Sequence, residues 1–166
     1  MRRQIVTIGV YDWDLGGFLA ALREADVQLL ADVRQRRGVR GPLYAWANSR
    51  RLQAALAAAG IAYSHHLELA PTTELRHLQY AEDARQGVGK RSRVELAPEY
   101  ARRYTREILD RADLDAFVDQ LPASGATALL CVEADPEACH RSLIAERLSK
   151  RYDASVGHLR PSPAVG

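Results

Sequence analysis

The sequence predicts an α/β fold: a single-domain three-layer sandwich with a mainly parallel sheet flanked by helices. Three observations carry this. Short β-rich runs alternate with stretches of helical periodicity along the whole chain. Residues 27–33 (VQLLADV) are nearly continuous in apolar character, as a strand covered on both faces requires. A chain of 166 residues supplies one proper core and is too short for two comfortable ones. Residues 1–160 are assigned to that domain and 161–166 (PSPAVG) to a frayed tail.

Taken in order, residues 4–9 (QIVTIG) form a first strand closing on Gly9. Asp14 caps a helix in which Leu15, Phe18, Leu19 and Leu22 recur at helical spacing. After the second strand, residues 34–47 make a loop rich in Arg and Gly. It is long for an α/β connection, which marks it as functional or disordered. Asn48 is expected to cap the next helix, with Leu52, Leu56 and Ala59 inward and Gly60 as its stop. Residues 61–65 form a third strand.

Within 67–93, residues 74–86 read as a helix, Gly87 and Gly89 as a loop, and the whole segment as a candidate lid. Pro98 opens a helix to about residue 110, and Asp113 opens a short one with Leu114, Phe117, Val118 and Leu121 inward. The strand 127–132, a polar loop, a helix to about residue 151 and a short strand at 155–159 complete the chain. Asp135 and Pro136 are the start signal of that last helix.

Hydrophobic content of 47% and charged content of 27% are ordinary for a soluble globular protein. No apolar run is long enough to cross a membrane, and the N-terminus lacks a cleavage site, so a cytoplasmic location is expected. Two cysteines are too few for a disulfide scaffold. Net charge is only +2, yet six arginines and no acidic residue fall within 34–51. Six basic residues against Glu95 and Glu99 fall within 90–106. This points to an anionic small molecule or a nucleic acid as partner, against the plainer reading of a solvated arginine surface.

In parallel sheets ligands sit at the carboxyl ends of the strands. Two polar tips occur there, Asp32-Val33-Arg34 and the loop from Glu133 to Arg141, and they are expected to share one pocket. Asp32 and Glu133 are the candidates for proton transfer, each with a salt bridge or loop anchor as the alternative role. Arg34 and Arg141 are candidate anion-binding forks. Cys139 and His140, near the start of a helix, are candidate nucleophile and support, whereas Cys131 reads as a small buried apolar residue. Tyr44 and Tyr63 are candidate base-stacking residues, with core packing as the alternative. The single Cys-His pair lacks the repeated spacing of zinc motifs, so no metal is expected. No phosphate-cradling Gly loop is present and no cofactor is expected.

The motifs Thr7-Ile8-Gly9, Asp32-Val33-Arg34, GIAY at 60–63, LLCVEADPEACHRSLIAERL at 129–148 and VGHL at 156–159 together resemble the DUF488 family across nearly the whole chain. The most specific of them is Cys131-x-Glu133 followed by Cys139-His140-Arg141-Ser142. The family's usual His after TIG is Val10 here, and GPLYAWAN replaces a shorter proline-bearing loop, which implies a subgroup with its own substrate. The resemblance implies an α/β fold and a shared site, and brings no established reaction. Three readings stay open: an enzyme on a nucleotide-like or nucleic-acid substrate, a non-catalytic nucleic-acid-binding module using the arginine-rich loops, and thiol chemistry at Cys139.

Overall fold

The computed structural model describes residues 2–89 and 92–161. Lys90 and Arg91 of the second basic stretch, and residues 162–166 of the tail, lie outside the described residues. Five strands form one sheet: β1 (Gln4–Ile8), β2 (Val27–Asp32), β3 (Ala62–His65), β4 (Ala126–Leu130) and β5 (Ser155–His158). Their order is β3-β2-β4-β1-β5, and every pairing is parallel.

The two-residue period of a strand divides the core. On β4, Ala128 and Leu130 face one hydrophobic layer while Leu129 faces the other. The first layer is closed by α1 (Leu15–Glu24), through Phe18 and Leu22, and by α2 (Ser49–Ala58), through Leu52 and Leu56. The second is closed by α3 (Thr73–Gln86), α4 (Pro98–Tyr104), α5 (Leu114–Asp119) and α6 (Arg141–Tyr152). Asp14 caps α1 as expected, accepting the Gly17 N–H at 2.7 Å, and Gly87 ends α3 at φ 71°. The helix begun at Pro98 widens into a π turn at Thr105–Leu109, where the Asp110 N–H reaches back to the Thr105 carbonyl at 2.8 Å.

Two local expectations are corrected. Asn48 does occupy the N-cap position of α2, but its side chain makes no cap bond. Its Oδ1 instead accepts the Val39 N–H at 2.7 Å and pins the arginine-rich loop, part of which coils as a 3-10 turn at Pro42–Ala47. Asn48→Ala is therefore expected to cost about 1 kcal/mol. It should also speed hydrogen exchange at the Val39 amide, which amide NMR would read, with the α2 amides little changed.

The second correction concerns Asp135-Pro136. These residues start only an isolated 3-10 turn, Pro136–Ala138. Cys139 is then extended (φ −140°, ψ 148°), and α6 begins at Arg141 with His140 as its helical cap.

β2 and β4 are neighbours, yet the chain leaves β2 for α2 on one face and β4 for α6 on the other. Connections that part in this way open a crevice at the strands' carboxyl ends. Among the described residues, no helix is long and apolar enough to cross a membrane.

Candidate functional site

The two polar tips meet. His140 Nε2 lies 2.8 Å from the Val33 carbonyl oxygen, joining the turn before α6 to the end of β2. A carbonyl only accepts, so Nε2 carries the proton and donates it.

Asp32 is fully buried and surrounded by donors. Arg34 Nε and Nη2 reach Oδ1 and Oδ2 at 2.9 and 2.8 Å, the Arg34 N–H reaches Oδ1 at 3.2 Å, and the Tyr63 hydroxyl donates to Oδ2 at 2.6 Å. Four donors fill the acceptor sites of this carboxylate. Arg34, with its side chain 1% exposed, spends its remaining fork on the Ala47 carbonyl at 3.0 Å. The pair is a bidentate clamp across the base of the arginine-rich loop. Asp32 does not line the cleft; Arg34 does, but its guanidinium is held by Asp32 and the Ala47 carbonyl.

Arg141 is likewise fully buried and turned to the protein. Nη1 and Nη2 donate to the Glu133 and Ala134 carbonyls at 2.6 and 3.1 Å, and Nε has no hydrogen-bond partner among the described residues. It fixes the loop after β4 and does not line the cleft. The same loop presses on Gly9: an added Cβ would stand 1.9 Å from the Glu133 carbonyl oxygen. The Val10 and Tyr11 N–H groups close the contact by donating to the Val132 carbonyl at 2.9 and 3.0 Å.

Tyr44 and Tyr63 also stand outside the cleft lining. The Tyr44 hydroxyl accepts the Asp12 N–H at 2.9 Å, and its ring packs 5.3 Å from that of Tyr11. The Tyr63 hydroxyl bridges Asp32 and Arg37, and burial is the main cause that raises its pKa. Among the described residues, the tyrosines that do line the cleft are Tyr11, Tyr80 and Tyr100.

The cleft has a volume of about 420 Å³, within the range of small-molecule sites. Cys131, Glu133, Cys139 and His140 form its floor. His140 Nδ1 lies 3.5 Å from Cys131 Sγ and 3.6 Å from Cys139 Sγ, and the three atoms fall within 4.8 Å of one another. All three residues are buried. Burial alone would raise the Cys139 thiol; the hydrogen bond from Cys131 and the charges of His140 and Arg141 outweigh it and hold Cys139 well below the usual range. Burial and the bond to Cys139 drive Cys131 well above it. For His140 burial lowers the pKa, and the Cys139 charge more than reverses this.

Glu133 sits beside this group, its Oε2 3.6 Å from Cys131 Sγ and its Oε1 2.5 Å from Arg93 Nη2. Arg93 also donates to Asp83 at 2.6 Å and to the Ala138 carbonyl at 3.1 Å, so one buried guanidinium ties α3 to the loop after β4. Gln79 supports it: its amide donates to Asp83, and its carbonyl accepts the Ala97 N–H, both at 2.9 Å. Pro71, α3 residues Arg76, His77, Gln79 and Tyr80, and Arg93 thus form one wall of the cleft. Arg36 and Arg40 line the opposite side, and Arg76 completes the rim with only the neutral partners Gln35 and Tyr80. Among the described residues these three arginines form no ion pair, unlike Arg34 and Arg93.

Sequence reasoning assigned no role to Arg93, Asp83 or Gln79, and it preferred packing over chemistry for Cys131. Only the spacing of Cys131 and Glu133, two apart at a strand end, hinted that the thiol shares a side with the carboxylate.

Comparison with curated proteins and with solved structures finds no match. The family profile described as domain of unknown function DUF488 matches residues 14–148. That span holds β2, β4, the whole cleft floor and the clamps beneath it, so the chain belongs to the DUF488 family.

Proposed function

We propose that the protein is an enzyme acting on an anionic, nucleotide-sized substrate. The supporting observation is the make-up of the cleft: an arginine rim without ion pairs among the described residues, above a buried floor of carboxylate, thiols and imidazole. Arg36, Arg40 and Arg76 hold the anionic groups, since guanidinium forks match phosphate and carboxylate geometry. Glu133 transfers a proton at the reacting centre, and Cys139 with His140 supplies the remaining chemistry there. Tyr11, Tyr80 and Tyr100 offer apolar faces to a base or sugar. Asp32, Arg34 and Arg141 act on the substrate only by holding this frame. A reducing cytoplasm suits two free thiols on the floor.

The test is a titration of nucleoside mono- and diphosphates and of short single-stranded oligonucleotides, by calorimetry at two salt concentrations. Mononucleotides are expected to bind, more weakly at higher salt, and the combined variant Arg36→Ala/Arg40→Ala/Arg76→Ala to lose at least about tenfold in affinity. Glu133→Gln should retain binding and lose turnover. Oligonucleotide binding alone, with mononucleotides ignored, would replace this reading by the binding module. Equal affinity of the parent and the triple variant for every anion would end both.

A further inference from the structure

We infer that Cys131, Cys139 and His140 bind one zinc ion through two thiolates and Nδ1, leaving a fourth position open to the cleft. Two of the ligand–ligand separations already match a tetrahedral site. With Zn–S about 2.3 Å and Zn–N about 2.0–2.1 Å, sulfur and nitrogen ligands of one tetrahedral ion stand about 3.6 Å apart. The two Sγ···Nδ1 separations are 3.5 and 3.6 Å.

Three further features support the site. The first is the tautomer. With Nε2–H committed to the Val33 carbonyl, the neutral ring offers Nδ1 as its acceptor, 3.5 and 3.6 Å from the two sulfurs. A backbone carbonyl behind the ring is the usual partner of a metal-ligating histidine.

The second is the backbone. Adjacent residues on a strand point to opposite sides, which argues against ligands at neighbouring positions. Here the chain changes from extended at Cys139 to helical at His140 (φ −61°, ψ −18°), and the change brings both side chains to one side. Cys131, one residue beyond β4, supplies the third ligand from a different part of the fold.

The third is the surroundings. The three donors are buried, yet all line the cleft, so the remaining coordination position is accessible to water or substrate. Three protein ligands with an open position is the pattern of catalytic rather than structural zinc. Glu133 lies 3.6 Å from Cys131 Sγ and lines the same cleft without belonging to the ligand set, and it would exchange a proton with a water held there. This last role rests on the proposed enzymatic function; the binding of the ion does not.

The experiment uses the full chain, reduced, stripped with chelator and titrated with Co²⁺ and then Zn²⁺. One equivalent of Co²⁺ should give thiolate-to-cobalt charge-transfer absorption and the intense visible bands of a tetrahedral site, and Zn²⁺ should abolish both. Cys131→Ser, Cys139→Ser and His140→Ala, each checked for fold by circular dichroism, should weaken binding by more than about 100-fold, beyond the loss from removing an outer hydrogen-bond partner of a ligand.

A folded, reduced parent chain that gives no thiolate charge-transfer band overturns the inference even if no variant folds. So does a Cys131–Cys139 disulfide that takes up no ion after reduction, or a Cys131→Ser variant that binds as the parent does. Mononucleotide binding without the cobalt signature would sink the zinc site alone. The cobalt signature without anion binding would sink the enzymatic reading alone.

Discussion

Asp32→Ala is expected to lose about 3–5 kcal/mol of folding stability, because it leaves the Arg34 guanidinium buried and uncompensated. For a chain of this size that corresponds to a fall in Tm on the order of 10 °C. Arg34 cannot escape by losing its proton, and its side chain is only 1% exposed. The mutation also strips the Tyr63 hydroxyl and the Arg34 N–H of their acceptor. The double variant Asp32→Ala/Arg34→Met should recover much of the loss, since replacing a whole buried pair by apolar groups is often close to neutral. Urea unfolding of the parent, both single variants and the double variant gives the coupling energy directly. A loss below about 1 kcal/mol in Asp32→Ala would mean that the pair is not buried as described.

Gly9→Ala is the second large effect, and it is steric. The new Cβ would lie 1.9 Å from the Glu133 carbonyl oxygen and 2.7 Å from its carbon, both of them backbone. Neither side can yield cheaply. The Gly9 side is held by the Val10 and Tyr11 N–H bonds to the Val132 carbonyl, and the Glu133 carbonyl is held by Arg141 at 2.6 Å. Forced overlap in a packed region costs about 1–3 kcal/mol or more. Any relief moves Glu133, and with it the ion pair to Arg93 that joins α3 to the floor. The expected result is a lower urea midpoint together with at least about tenfold weaker ligand binding. Gly16→Ala is the control: its nearest neighbour outside the helix is the Asp14 carboxylate at 3.8 Å, so it should be neutral or stabilising by up to about 1 kcal/mol. Equal behaviour of the two variants would contradict the close approach at Gly9.

β1, β2 and β4 were legible because each is a largely apolar run, and the helix starts at Asp14 and Pro98 because their signals are local. The parallel sheet followed from alternation, and the meeting of the two tips from where parallel sheets bind ligands. What escaped depends on partners distant in sequence. Asn48 has the chemistry of a cap, and only the fold offers it Val39 instead. Arg141 looks like an anion fork until the loop carbonyls it holds are known. Arg93 lies in the least readable segment and gains its role from Asp83, ten residues before it, and Glu133, forty after it. Cys131 was assigned to packing because its strand is apolar, and its two cluster partners arrive only with the turn before α6.

The strand order bears on how the chain reaches this state as it leaves the ribosome. β4 lies between β1 and β2, so the first two strands never pair directly and are joined only once residues 126–130 have been made. A nascent chain carrying only the first three strands has an unpaired inner edge on both β1 and β2, the kind of surface that templates aggregation. Productive closure is therefore a late, long-range event and a slow one. Truncations ending before β4 should collect in inclusion bodies, whereas loss of β5 alone strips only an outer edge.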